Sequence, residues 1–211
     1  MESCDYILLI LNCEKYKYKA ENQKETWLKT LPQNIRYYHV IGNEEKCENN
    51  EIFIDEDNKV IYTNTKDDYN SLPSKVITAL SGVLEKFDFK FIMKTDDDQK
   101  LIIPNFFETF TNILNEKKPH YGGYSLVVRD HFSQYYKVHD CLPRNLFLKS
   151  TKYVNGRFYF LSKEAVQDVV SKKEDIKKHV IEDHAIGLYL NEKYKDTLLH
   201  FDTRKIFFDN T

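Results

Sequence analysis

Strand-length apolar runs alternate with segments of helical periodicity along this chain, and that alternation narrows the possible folds more than any other feature. Tyr6 to Leu11 (Tyr-Ile-Leu-Leu-Ile-Leu) has no polar residue to turn toward water, as expected of a strand covered on both faces. Ala20 to Thr30 reads as a polar-rich helix with Trp27 and Leu28 on one face, stopped at Leu31-Pro32. Ile35 to Ile41 is the next strand, and Glu44 to Asn50 reads as charged loop. Glu51 to Ile54 and Val60 to Thr63 are short strands around the Asp55-Glu56-Asp57-Asn58 turn. Pro73 opens a helix in its favoured first turn, with Ser71 as candidate cap and an apolar face of Val76, Ile77, Leu80, Val83 and Leu84. A strand from Phe89 follows, and then a helix from Pro104 to about Leu114. Such alternation predicts an α/β single domain, layered around a mostly parallel central sheet.

The second half is less regular. Tyr121 to Val128 reads as strand and tight turn, and Asp130 to Ser150 as a long aromatic loop of the kind that is usually functional or mobile. Phe158 to Leu161 is a strand, Ser162 caps a helix from Lys163 to about Ser171, His184 to Tyr194 is the last helix, and Leu198 to Phe201 the last strand. No repeat or linker divides the 211 residues, which are enough to bury a core without disulfides. Cys4, Cys13, Cys47 and Cys141 lie far apart without a C-x-x-C pair, so we expect reduced thiols. A net charge of -2 and the lack of a basic face argue against nucleic-acid polymers as partners. The apolar run near the amino end is too short for a membrane span, and acids precede it where a signal peptide has basic residues. We therefore expect a cytoplasmic setting. The final Phe207 to Thr211 has no terminal cap, which leaves room for fusion to further domains.

Chemistry concentrates at Phe89 to Asp98, where the apolar strand ends in Asp96, Asp97 and Asp98. Clustered carboxylates repel one another and lose hydration unless a cation offsets them, so the trio points to a divalent metal; the competing reading is a solvated acidic turn. In open α/β sheets ligands gather at the carboxyl ends of strands, which puts the trio in the cleft. Asp98 is the leading direct ligand, Asp96 is placed to meet a ribose hydroxyl or the metal, and Asp97 suits either role. A hard cation held by few protein oxygens keeps positions open for phosphate, so Mn²⁺ or Mg²⁺ with a nucleotide diphosphate is expected.

Asp68-Tyr69-Asn70-Ser71-Leu72-Pro73-Ser74-Lys75 and, further on, Lys94-Thr95-Asp96-Asp97-Asp98 resemble the D-x-Y-x-N-L-x-x-K and K-x-D-D-D blocks of the inverting β-1,3-galactosyltransferase and Fringe-like glycosyltransferases. Lys24 with Thr26-Trp27 resembles R-x-T-W, and Val40-Ile41-Gly42 the end of F-L-L-G. Tyr153 to Ser162 is similar to Y-C-S-G-G-G-Y-V-L-S, and Glu182-Asp183-His184-Ala185-Ile186-Gly187 to E-D-V-x-x-G. The blocks occur in family order over about residues 5 to 190.

The resemblance implies a GT-A fold, a UDP-sugar donor bound through Mn²⁺ or Mg²⁺, a glycan acceptor and transfer with inversion. It implies that Asp183 is the catalytic base, that Asp68 and Lys75 lie on the nucleotide side with Asp96 and Asp97, and that His200 completes the metal shell with Asp98 and Asp96. By the same comparison, residues 1–100 are the nucleotide-binding part and 101–211 the acceptor side. Proton removal from the acceptor hydroxyl and stabilisation of the leaving diphosphate need different acids, which suits this division. Competing readings are a retaining transferase of the same fold, a nucleotidyltransferase, and a binding module without catalysis. The chain departs from the family pattern at Lys24, where Arg is usual, and at Arg157 and Phe158, which replace two glycines and would put a ring near the sugar. It also lacks the amino-terminal stalk and anchor of Golgi-resident enzymes, suggesting a cytosolic, microbial or viral setting. Tyr121, Tyr124, Tyr135 and Tyr136 are candidates either for sugar stacking or for the core.

Overall fold

Tyr6–Leu11 (β1) is buried along its whole length because it has a neighbour on each side and a layer on each face. The computed structural model describes residues 2–209. The other strands of the main sheet are Ile35–Gly42 (β2), Ile52–Asp55 (β3), Val60–Thr63 (β4), Phe91–Asp96 (β5), Tyr121–Val128 (β6), Thr151–Ser162 (β7) and Leu199–His200 (β8). Their order is β8-β6-β7-β5-β1-β2-β4-β3. Parallel pairing joins β5, β1, β2 and β4, with Tyr6 opposite both Ile35 and Phe91. At β7 the direction reverses: this strand runs antiparallel to both β5 and β6.

Side-chain alternation sorts two cores. Ile7, Leu9 and Leu11 face one layer with helices Leu72–Lys86, Lys163–Val170 and Glu182–Tyr189. Tyr6, Leu8 and Ile10 face another, built by Trp27, helix Phe106–Lys117 and a cluster of Phe158, Phe160 and Phe207. We number the five long helices α1 (Lys17–Glu25), α2 (Leu72–Lys86), α3 (Phe106–Lys117), α4 (Lys163–Val170) and α5 (Glu182–Tyr189).

Several local expectations change. Ser71 makes no side-chain cap; instead Asp68 accepts a hydrogen bond from Ser71 N at 2.9 Å and caps the 3-10 turn Tyr69–Ser71 ahead of α2. The charged segment after β2 forms one helical turn, Glu44–Cys47, because Asn43 Oδ1 accepts from Lys46 N. The first helix ends at Glu25 and a 3-10 turn, Trp27–Thr30, carries the tryptophan inward. Helix α3 starts at Phe106, two residues after Pro104, and the last long helix begins at Glu182 and ends at Tyr189, before the separate turn Glu192–Lys195.

Strand β7 is longer than the apolar run Phe158 to Leu161 because it continues back through a register shift between Val154 and Tyr159. That shift turns Phe158 into the aromatic layer. It is fully buried, with Phe207 at 5.0 Å and Phe106 at 5.5 Å, so it lies in the core and not beside a sugar. Tyr121 is likewise core, its hydroxyl accepting from Val154 N at 2.9 Å. Part of the aromatic loop is strand: His131–Phe132 pairs with Phe147–Leu148. Helix α5 lies close on β7 because Gly187 has no side chain; a Cβ there would stand 2.2 Å from that of Tyr153. All four cysteines are free, and among the described residues no helix is long and apolar enough to cross a membrane.

Candidate active site

The acids stand where β5 leaves the sheet. Asp97 N donates to Leu11 O at 3.0 Å, which pins the turn to the carboxyl end of β1. Asp96 Oδ1 accepts from Lys94 Nζ at 2.7 Å, and Asp98 Oδ1 from Gln99 Nε2 at 2.7 Å. Lys19 Nζ is 3.8 Å from Asp97 Oδ1. A polar recess of about 140 Å³, lined by Lys19, Gln23, Trp27 and Gln99 among others, opens beside Asp97.

Lys94 joins this strand end to two other elements. Its ammonium, almost fully buried, also donates to Gly156 O on β7 at 2.7 Å and lies 3.4 Å from Glu182 Oε2 at the start of α5. The same glycine donates its N–H to Asp183 Oδ2 at 2.8 Å, while His184 N donates to Asp183 Oδ1 at 2.7 Å. Tyr159 OH donates to Glu182 Oε1 at 2.5 Å. Asp183 and the lysine that holds Asp96 are therefore both bonded to the backbone of one residue, Gly156, through its two successive peptide groups.

The electrostatics follow from this crowding. Burial, aided by Asp98 and Glu182, pushes Asp96 up to about 6 against the pull of Lys94. Burial also lifts Asp97 to about 7, against Lys19 and with its two acidic neighbours. Burial raises Asp183 too, opposed by Lys94 and by the two N–H donors. Burial works against the charge of Lys94, but Asp96 and Glu182 outweigh it and hold the ammonium above its usual range.

Also near the carboxyl end of β1, Lys75 on α2 is buried and donates to Asn12 O at 2.9 Å and to Asp67 Oδ1 at 2.6 Å. Asp67 also accepts from Gly42 N at 3.0 Å and Glu14 N at 2.7 Å, tying together the carboxyl ends of β1 and β2. Tyr69 stacks on His139 with ring centroids 4.7 Å apart; burial and then the charges of Asp183 and Asp96 lift its hydroxyl to about 12.

The galactosyltransferase family profile matches residues 19–195. The chain belongs to the galactosyltransferase family. It is 23% identical over 179 residues to UDP-GalNAc:beta-1,3-N-acetylgalactosaminyltransferase 2 of Xenopus tropicalis, covering 81% of this chain and 35% of that relative. The chain thus spans about a third of the length of the curated relative it matches. Its fold resembles that of a glycosyltransferase involved in glycosylation of the major capsid of PBCV-1, with a TM-score of 0.53, 10% identity, and coverage of 94% of this chain and 83% of that one. It also resembles core-mannan synthase A from Aspergillus fumigatus in a Mn/GDP form, with a TM-score of 0.51, 10% identity, and coverage of 96% and 73%. The fold is GT-A.

The galactosyltransferase blocks converge unequally. Asp96 and Asp183 come together around Lys94 and Gly156, Asp98 is near enough to Asp96 to raise it, and Lys75 is buried against Asp67. Asp68 does not join them: its side chain is engaged in the turn cap. Counted back from Lys75 and Tyr69, the D-x-Y spacing falls on Asp67, so the spacing itself marks the residue that meets Lys75. His200 does not join the acids either. It is aligned with Gly123, Tyr159 and Lys94 across β8, β6, β7 and β5, three strand spacings or about 14 Å away. It is exposed, and its Nδ1 accepts from Ser125 N and pairs with Ser125 Oγ at 2.8 Å. The chain end reaches the acids by another route: strand Phe207–Asp209 pairs with Gln99–Leu101, and Asp209 Oδ1 accepts from Gln99 Nε2 at 2.8 Å. Lys24 pairs with Glu21, and Arg157 with Asp209. His184 is buried and donates Nε2–H to Lys149 O at 2.9 Å, which fixes the ring beside the base candidate. Among the described residues no three His, Cys, Asp or Glu side chains gather as a preformed metal cage.

Proposed function

We propose that this chain is a metal-dependent inverting glycosyltransferase that moves a hexose from a UDP-sugar to a carbohydrate hydroxyl, with Asp183 as general base. The observation that carries the reading is the backbone of Gly156, whose C=O accepts from the lysine that holds Asp96 and whose N–H donates to Asp183. This link supports a metal-holding acid and a proton-accepting acid acting on one bound donor and acceptor, as displacement at a sugar carbon requires.

The donor set suits a hard cation. Asp96 and Asp98 each spend one carboxylate oxygen, Oδ1, on a protein donor, leaving Oδ2 for a metal with an all-oxygen shell. Two such carboxylates leave most coordination positions to water and phosphate. Bound there, Mn²⁺ or Mg²⁺ would supply the positive charge that stabilises a departing diphosphate. The Xenopus relative is named for UDP-GalNAc and the Aspergillus protein was solved with Mn and GDP, which supports this class of donor and metal.

The chain's own residues perform the remaining tasks. Lys75, held by Asp67 and Asn12 O, brings a positive charge to the nucleotide side of the cleft, and Asp97 lies on that side of the trio. Asp183 keeps a carboxylate oriented by two backbone N–H groups, and burial raises its proton affinity, which favours accepting the acceptor hydroxyl's proton. Residues 1–100 serve the donor and residues 101–211 the acceptor.

A screen of UDP-sugars with and without Mn²⁺, read by UDP release and by NMR of the product anomer, tests this reading. The expected result is metal-dependent release from one donor with inverted configuration. Retained configuration would remove Asp183 from its role, and pyrophosphate in place of UDP would point to nucleotidyl transfer.

A further inference from the structure

Beyond the sheet, β6 and β7 continue as a two-stranded arm. Val128 opposes Thr151 and, after a break at Arg129–Asp130 and Lys149–Ser150, His131 opposes Leu148 and Phe132 opposes Phe147 in the same antiparallel register. β5 meets β7 only at Phe158–Ser162, and β8 meets β6 only at Gly122 and Gly123, so no third strand accompanies the arm outward.

Its surface is unlike the rest of the molecule. Of the eleven large apolar side chains that stand exposed among the described residues, three lie on its strands, Val127 at 77%, Phe132 at 63% and Phe147 at 46%, and two, Tyr135 and Val138, on the connecting segment, which turns back so that His139 stacks on Tyr69. Phe132 and Phe147 pack edge to face with centroids 5.4 Å apart, forming one apolar tip. Between residues 125 and 154 there are five basic side chains, Arg129, Lys137, Arg144, Lys149 and Lys152, against two acids, in a chain whose net charge is -2. One of those acids, Asp130, accepts from Ser150 N and is occupied within the arm.

We infer that this arm docks the protein on an anionic lipid surface, with Phe132 and Phe147 entering the headgroup boundary and the flanking Lys and Arg meeting lipid phosphates and carboxylates. Aromatic side chains rimmed by bases are the composition of interfacial anchors, and each basic residue close to an anionic leaflet adds attraction. The arm's shape favours a bilayer over a folded partner. Phe132 and Phe147 share one face, whereas Val127, opposite Lys152, points to the other. A flat protein surface covers one face of a ribbon, while a lipid interface surrounds both. Long basic side chains also lay their methylene stems along apolar surface with the charge outward. The inference is independent of transfer chemistry.

Co-sedimentation of the full chain with vesicles tests it. We expect pelleting with phosphatidylcholine–phosphatidylserine vesicles, at least about ten-fold weaker binding to phosphatidylcholine alone, and loss of binding as salt is raised. Phe132→Ser with Phe147→Ser should weaken binding by about ten-fold or more, and Arg129→Glu with Lys152→Glu should abolish the preference for phosphatidylserine. Because these side chains are exposed, the melting temperature of both variants should stay close to that of the parent. Absence of pelleting with the anionic vesicles, or pelleting untouched by both pairs of substitutions, would overturn the inference. So would self-association in solution that the Phe substitutions abolish, since a second copy would then be the tip's partner.

Discussion

The two sides of the cleft are built on opposite principles. On the side we propose for the donor, Asp67 and Lys75 are bonded to the carboxyl ends of β1 and β2 and the Asp trio ends β5, strands paired in parallel. On the side we propose for the acceptor, Asp183 lies in the first turn of a short helix against β7, an antiparallel strand with a shifted register that continues into an exposed arm. Buried parallel strands position side chains with little freedom, while a shifted strand and a free arm let the surroundings of the base vary. The division suggests a constant donor site next to an adaptable acceptor site, fastened together by Lys94.

The contrast between the two sides is sharpest at Asp183. Asp183→Asn should lower kcat by about 10²–10⁴-fold, the usual worth of a positioned proton acceptor, while UDP binding stays within about two-fold. Steady-state kinetics beside calorimetry reads both, and a loss of UDP affinity would move Asp183 to the donor side.

Lys94 tests whether the two sides are truly coupled. Lys94→Met leaves Asp96 and Glu182 facing each other without a cation and should cost about 3–5 kcal/mol of stability, as expected for a buried pair deprived of one partner. Lys94→Arg should restore part of the melting temperature. A Met variant as stable as the parent would mean that the network is not needed to join β5 to α5.

Acid exposes a weakness at β2. His39 on β2 is fully buried, with neither ring nitrogen partnered, and burial lowers it to about 3. The unfolded chain takes up that proton near the ordinary 6.5 and the folded chain does not, so the contribution is complete above 6.5 and is lost as pH falls from 6.5 toward 3. The slope is about 1.4 kcal/mol per pH unit from this group alone. Urea midpoints measured across that range should show it, and His39→Phe should flatten it.

The smallest effect separates two neighbouring acids. Asp68→Ala removes a turn cap and should cost about 1 kcal/mol without changing the KM for donor. Asp67→Asn should raise that KM, since Lys75 loses its charged partner. An increased KM in the Asp68 variant alone would return that residue to the site.

Much of the donor side is legible in the sequence because β1 and β5 are continuous apolar runs and the acids follow one of them directly. Ile7 and Leu8 go to opposite cores by simple alternation. The acceptor side is less legible for physical reasons. The register shift between Val154 and Tyr159 redirects Phe158 into the aromatic core, which the period of a regular strand does not anticipate. His200 lies on an apolar run but at the far edge of the sheet, and strand order is not written in local pattern. Asp68 illustrates a one-residue ambiguity: in Asp67-Asp68 both acids suit a turn, and only spacing from Tyr69 and Lys75 selects between them. Lys94 is readable as a lysine two before the acids, yet its partners Gly156 and Glu182 come from distant chain and emerge only in three dimensions.

We propose that the carboxylates ending β5 hold a cation that in turn holds the donor's diphosphate. Calorimetric titration of UDP into the parent and into Asp98→Asn, each with Mn²⁺ and after chelation, reads this step alone. Tight binding is expected only for the parent with metal. Equal UDP affinity in all four titrations would rule the cation bridge out.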